Sequence, residues 1–128
     1  MSSIIRHFRD FCPIRVTKRT KVIFLANPNN PTGTFIEGEQ IAAFIDSVPA
    51  HIVIVLDEAY TEYLSPSQRY DAFAWVAKHP NLIVSRSFSK AYGLAGLRIG
   101  FGIAQPALTD LLNRLRQPFN VNSLAQAA

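Results

Sequence analysis

Ile52-Val53-Ile54-Val55-Leu56-Asp57-Glu58-Ala59-Tyr60 decides how this chain folds. Five apolar residues run without polar alternation and break into two acids and a tyrosine. Such a run reads as a buried strand of a parallel sheet, with its polar residues delivered at the C-terminal end. The same pattern stands on either side of it. Upstream, Val22-Ile23-Phe24-Leu25-Ala26 is a continuous apolar run that reads as a strand buried on both faces. It breaks into Asn27-Pro28-Asn29-Asn30-Pro31-Thr32-Gly33, where two prolines, a glycine and the asparagines dictate a fixed turn. From Glu37, the spacing of Ile41, Phe44, Ile45 and Val48 predicts a helix over 37–47, stopped by Pro49.

Downstream of the central run, residues 64–70 read as a polar loop, and Asp71 is placed to cap a short helix carrying Phe73, Trp75, Val76 and Ala77. After Pro80-Asn81, Leu82-Ile83-Val84 is the third strand. The order is strand, helix, strand, helix, strand, and each crossover is long enough for a right-handed parallel unit. All three strands therefore end on one edge, which receives Asn30, Asp57 with Tyr60, and Lys90. In open α/β sheets, ligands sit outside the carboxyl ends of the strands.

The third strand runs into Ser85-Arg86-Ser87-Phe88-Ser89-Lys90-Ala91-Tyr92-Gly93-Leu94-Ala95-Gly96-Leu97-Arg98, a glycine-bearing loop with three cations among hydroxyls. A lysine so placed either holds an anion or reacts as an amine with a lowered pKa. A fourth strand, Arg98–Ala104, follows after only residues 88–97. That is too short for a parallel crossover, so the strand is expected to run antiparallel. Its Gly100 and Gly102 are expected to bring the backbone close to a packed neighbour. Pro106 opens a helix with Leu108, Leu111, Leu112 and Leu115 on one face; Pro118 ends it, and Asn122-Ser123 reads as the cap of another.

Composition sets the outer bounds. A chain of 128 residues, 48% hydrophobic, has material for one domain with a core. No apolar run approaches the roughly 18 residues of a membrane span, and a cytoplasmic location is expected. Cys12 is the only cysteine, and His7, His51 and His79 show no ligand spacing, so neither a disulfide nor a metal cluster is expected. Six Lys/Arg against Asp10 give residues 1–21 a charge of +5; with the whole chain at +4, the rest carries −1. The near-neutral body gives no case for nucleic acid. Residues 1–19 read as a poorly ordered basic leader, with a basic arm or a targeting peptide as alternatives, and 20–128 as the folded part.

The convergent groups are an amine, an acid at a buried strand end, an asparagine in a rigid turn, a tyrosine, two serines and an arginine. A dinucleotide enzyme needs a Gly-rich fingerprint after the first strand, and a P-loop enzyme needs a Gly-Lys-Ser/Thr loop; neither is present. No histidine sits at this edge for a Ser-His-Asp hydrolase. Pyridoxal phosphate uses every member: an amine for its aldehyde, a carboxylate for its ring nitrogen, donors for its phenolate, and hydroxyls with an arginine fork for its phosphate. Taken singly, each residue has a plainer reading. Asp57 could be a helix cap, Tyr60 a packed aromatic, Ser87 and Ser89 loop residues, Lys90 a solvated cation and Arg98 half of an ion pair. Their coincidence at one edge favours the site.

Asn27–Gly33, Asp57–Tyr60 and Ser87–Arg98 together resemble the motifs of the fold-type-I aminotransferases, and within them the histidinol-phosphate aminotransferase family; Arg116–Ser123 resembles that family too. The likeness spans about residues 22–128. It implies an α/β fold: a three-layer αβα fragment of the pyridoxal-phosphate-dependent transferase large domain, mostly parallel, with a last antiparallel strand. It also implies that Lys90 links covalently to the cofactor and later carries the proton. Asp57 would pair with the ring nitrogen, Asn30 and Tyr60 would bond the phenolate oxygen, and Ser87, Ser89 and Arg98 would hold the phosphate. The Asn30–Pro31 bond is expected to be cis. The implied reaction is transamination of histidinol phosphate with 2-oxoglutarate, by a homodimer in full-length members.

The resemblance stops short in two places. Family members carry an upstream loop with further phosphate donors and a stacking aromatic, and a downstream small domain with a carboxylate-binding arginine. Nothing in residues 1–19 resembles the first, and Ala128 precedes the second. The chain is thus expected to be truncated, with an open sheet edge. Two alternatives stand beside the aminotransferase reading: a catalytically silent fragment that at most binds cofactor, and a related pyridoxal-phosphate-dependent lyase or decarboxylase.

Overall fold

The three parallel strands and the reversed fourth form one sheet. The structure is a computed structural model that describes residues 16–128; most of the expected basic leader lies outside the described residues. Strands β1 (Val22–Ala26), β2 (Val53–Asp57), β3 (Leu82–Ser87) and β4 (Gly100–Ile103) lie in the order β1-β2-β3-β4. The β1–β2 and β2–β3 pairs are parallel, and β3–β4 is antiparallel. Helices α1 (Gly38–Ser47) and α2 (Ala72–Val76) make the two crossovers, and α3 (Pro106–Leu115) and α4 (Ser123–Ala127) follow the sheet.

Alternation along the strands sorts the side chains. Ile23 and Leu25, Ile54 and Leu56, and Leu82 and Val84 share one face by register, and all are buried. Ile41, Phe44 and Ile45 of α1 and Ala72 and Val76 of α2 join them in a single core, so both crossover helices lie on that face. Each of those large side chains contributes about 1.5–3 kcal/mol by leaving water.

The opposite parity departs from the sequence reading. β1 was expected to be buried on both faces, yet Val22 is 44% and Phe24 77% exposed. β1 is an edge strand, and among the described residues α1 and α2 cover only the other face. The leucine face of α3 likewise finds no core: Leu111, Leu112 and Leu115 are all exposed. Their helical spacing is real, but periodicity cannot say what lies opposite it.

Local chemistry set the element ends. The Asp71 carboxylate accepts from the Phe73 and Ala74 N–H groups and caps α2, and the Asn122 side chain accepts from Ala125 N–H at the start of α4. β3 extends through Ser87, three residues beyond the predicted strand, while β4 begins at Gly100 and not at Arg98. Within the expected polar loop, Pro66–Gln68 is a 3-10 turn closed by Ser65 and Gln68.

Gly100 explains itself through its neighbour. A Cβ built there would lie 2.6 Å from the Arg86 carbonyl oxygen, whereas one at Gly102 would meet the Ile83 side chain at an ordinary 3.7 Å. The expected close approach therefore holds at Gly100. Gly100→Ala is expected to cost about 1–3 kcal/mol, because the backbones of β3 and β4 must separate. Gly102→Ala should change the urea midpoint far less; equal effects would disprove the argument.

Candidate active site

The site is assembled from three strand ends. After β1, the Asn27–Gly33 turn is closed by Gly33 N–H donating to the Asn29 carbonyl (2.8 Å) and Asn29 N–H donating to Thr34 (2.9 Å). The Asn27–Pro28 and Asn30–Pro31 bonds are both cis; the sequence predicted the second. Gly33 sits at φ +67°, where a side chain would be strained. So fixed, the turn aims Asn30 at the segment after β2, and its Nδ2 donates to the Tyr60 hydroxyl at 2.9 Å.

Asp57 is the last residue of β2. Its Oδ1 accepts from Ala59 N–H at 3.0 Å, which holds the carboxylate at the strand end. Beyond β3, Lys90 reaches back until its Nζ lies 5.4 Å from the centre of the Tyr60 ring, within range of a cation–π attraction. Asn30, Asp57, Tyr60 and Lys90 line one cavity of about 260 Å³, walled further by Ala26 and Pro28. Four of the seven candidate residues thus meet around a single space.

The other three lie apart from that cavity's lining. Ser87 Oγ accepts from Ser89 N–H at 3.0 Å, so the two serines are tied to each other at the end of β3. Arg98 has a left-handed backbone (φ 52°) that turns its guanidinium onto its own loop, where Nη1 donates to the Ala95 carbonyl at 2.9 Å. The donor set nonetheless fits an aldehyde-bearing, protonated ring: an amine, a carboxylate held by a backbone N–H, and a phenol paired with an amide border one small cavity.

Sequence reasoning passed over the residues behind this edge. Asn27 and Glu58 are wholly buried. Asn27 Nδ2 donates to the Ile36 carbonyl (3.0 Å) and the Tyr70 hydroxyl (2.9 Å), and its Oδ1 accepts from Ile36 N–H (2.8 Å). Glu58 Oε2 accepts from Arg86 Nε–H at 2.9 Å, and Arg86 Nη2 lies in ion-pair contact with the same oxygen at 2.9 Å. Burial pushes the Glu58 carboxyl above its ordinary value, and the facing Arg86 only partly opposes it. Burial likewise pushes the Tyr70 hydroxyl up to about 12, against the Asn27 hydrogen bond. The available signal was parity: Glu58 stands two residues past Leu56, and Arg86 two past Val84, so both continue the core-facing row.

Asn27→Ala is expected to destabilise the chain by about 2–3 kcal/mol, since it strips partners from both polar groups of the Ile36 backbone and from the half-buried Tyr70 hydroxyl. A loss below about 0.5 kcal/mol in urea unfolding would show that Asn27 holds nothing the turn requires.

Among the described residues, no group of three or more His, Cys, Asp or Glu side chains is placed to hold a metal. None of their helices is long and apolar enough to cross a membrane.

Comparison with known proteins bears on the family and the fold. The profile of the family described as aminotransferase class I and II matches residues 8–128. Histidinol-phosphate aminotransferase 2 of Ralstonia nicotianae is 64% identical over 122 residues, which are 95% of this chain and 33% of that protein. The crystal structure of histidinol-phosphate aminotransferase from Sinorhizobium meliloti in complex with pyridoxal-5'-phosphate superposes with a TM-score of 0.75 at 36% identity, covering 81% of this chain and 28% of that one. L-threonine-O-3-phosphate decarboxylase from Porphyromonas gingivalis superposes with a TM-score of 0.78 at 28% identity, covering 89% and 34%. The chain spans about a third of the length of the curated relatives it matches.

Proposed function

We propose that this chain, which belongs to the class I and II aminotransferase family, carries the cofactor-binding part of a pyridoxal-phosphate-dependent aminotransferase. The reaction we infer is transamination between histidinol phosphate and 2-oxoglutarate. One observation carries the reading: Asn30, Asp57, Tyr60 and Lys90 border a single cavity at the carboxyl ends of the strands. The 64% identity to a histidinol-phosphate aminotransferase supports the choice of amino donor. Residues 20–128 would form part of the transferase large domain after a basic leader, in a cytoplasmic homodimer.

Bound pyridoxal phosphate supplies an aldehyde that links to amines and a protonated ring that accepts electrons. Each residue has a part to play toward it. Lys90 would hold the aldehyde through its Nζ, and as a free amine it would carry the proton at the substrate's α-carbon. Asp57 keeps the ring nitrogen protonated, since a carboxylate beside a cation favours the charged form. The Tyr60 hydroxyl, oriented by Asn30, donates to the phenolate oxygen. Ser87 and Ser89 offer hydroxyls to the phosphate, and Arg98 offers a fork once it turns from the Ala95 carbonyl.

The test is direct. Pyridoxal phosphate is added to the purified chain, the absorption band of the linked cofactor is followed, and the product is reduced with borohydride and mapped. The expected adduct is on Lys90; its absence there would sink the proposal. The loaded chain is then given histidinol phosphate. Conversion of the cofactor to its amine form supports the aminotransferase, and capture without conversion leaves a cofactor-holding fragment. The likeness to L-threonine-O-3-phosphate decarboxylase favours one further arm: release of carbon dioxide from an amino-acid phosphate would assign a decarboxylase.

A further inference from the structure

The ends of β2 and β3 carry polar residues on both faces, and β1 adds one on the core side. Asp57, Ser85 and Ser87 have the parity of the candidate site; Asn27, Glu58 and Arg86 have the parity of the core. Backbone bonds stitch the same ends together: Asn27 N–H donates to the Asp57 carbonyl (3.0 Å), and Glu58 N–H donates to the Ser85 carbonyl (2.9 Å). On the core side Glu58 grips Arg86 through one oxygen and two guanidinium nitrogens. The guanidinium lies 4.2 Å from the centre of the Phe73 ring in α2. Phe101, opposite Arg86 in β4, packs on both Phe73 and Phe88, with ring centres 6.4 and 5.6 Å apart. Phe88 in turn lies 5.4 Å from Tyr92, so this stack underlies the loop bearing Lys90.

Stability alone is a poor reason for such a pair. Glu58 is fully out of water and the Arg86 side chain keeps 23% of its exposure; burying charge in this way costs more than the attraction usually returns, and apolar replacements of similar volume are often neutral or better. Glu58 is 0% exposed, and burial outweighs what Arg86 and the Tyr70 hydroxyl return to its carboxylate. What a charged hydrogen bond supplies that an apolar pair cannot is a directed link: Arg86 Nε–H is aimed at one Glu58 oxygen, with Nη2 beside it, and ties β3 to β2 at that point.

We propose that Glu58 and Arg86 are positioning residues, a buried clamp that holds the ends of β2 and β3 in register so that Asp57 and the Lys90 loop face each other across the cavity. The clamp rests on the cofactor reading only for the identity of the ligand; its effect on the strand ends can be read without one. Asn27, bonded to Tyr70, extends the same buried polar row to the end of β1.

The experiment compares the 128-residue chain with the double variant Glu58→Met/Arg86→Met and with Arg86→Lys, which keeps the charge and loses the Nε–H bond. Amide hydrogen exchange is read at Asn27 and Glu58 and referenced to Val53 and Ile54, whose N–H groups bond at the opposite end of β2. At least a tenfold selective acceleration at Asn27 and Glu58 is expected in the double variant, with its thermal midpoint close to that of the parent. Arg86→Lys is expected to show the same selective change and decides the matter if the double variant does not fold. Unchanged exchange at Asn27 and Glu58 in a folded variant overturns the clamp. The dissociation constant for pyridoxal phosphate supplies the second readout: at least a tenfold rise is expected in the same variants, and parental affinity in them would overturn the positioning role. If the parent captures no cofactor at Lys90, the functional reading falls, while the exchange result still decides the clamp.

Discussion

Lys90→Ala is expected to reduce the borohydride-trapped pyridoxal adduct to the background given by Lys18, Lys21 and Lys78. These four are all the lysines in the chain, so the assignment is closed by one peptide map. All are amines able to meet an aldehyde in solution, and intrinsic reactivity does not separate them. Place does. Lys90 alone of the four lines the cavity that also holds Asp57, Asn30 and Tyr60. Holding two reacting groups together replaces a bimolecular encounter with an intramolecular one, an advantage of about 7–11 kcal/mol when geometry is ideal. Even a small fraction of that confines labelling to one residue at low cofactor concentration. Lys90 is exposed, so the substitution should move stability by no more than about 0.5 kcal/mol, and loss of the adduct cannot be assigned to unfolding. Equal labelling of all four lysines in the parent chain, or undiminished labelling in Lys90→Ala, would refute the site.

The sheet was legible because its evidence in the sequence is local and redundant. Val22–Ala26, Ile52–Leu56 and Leu82–Val84 are short apolar runs that read as strands, and the number of residues between them decides direction. Asp71 and Asn122 announced their helices by the chemistry of unsatisfied N–H groups. Other features depend on partners that no local pattern names. Phe24 looks like any core residue until its strand is found at an edge, and the leucines of α3 have the right spacing without an opposing surface. Arg98 shows the limit for the site. Its position in the loop was legible, but its guanidinium donates to Ala95, because side-chain direction depends on a left-handed backbone that the sequence does not announce. Glu58 was missed for a different reason. Read as half of an acidic pair with Asp57, it drew no separate attention, yet adjacent strand residues face opposite ways, and one of two neighbouring acids had to be buried.

Asp57→Asn is expected to weaken pyridoxal phosphate binding by about 10- to 150-fold, the loss corresponding to roughly 1.5–3 kcal/mol for a hydrogen bond to a charged group. The substitution is nearly isosteric, and asparagine retains the oxygen that accepts from Ala59 N–H, so the strand end keeps its shape. What changes is charge. A carboxylate beside the ring nitrogen favours its protonated form, whereas a neutral amide does not. Asp57 is exposed at the strand end, and urea unfolding should therefore be unchanged within about 0.5 kcal/mol. The decisive control is an analogue with carbon in place of the ring nitrogen. It cannot be protonated there, so it should bind the parent and Asp57→Asn with equal affinity, while pyridoxal phosphate discriminates between them. If both ligands lose affinity alike, Asp57 acts on the shape of the cavity, not on the ring. If neither does, the carboxylate serves only Ala59, and the electron-accepting role must be sought elsewhere on the edge.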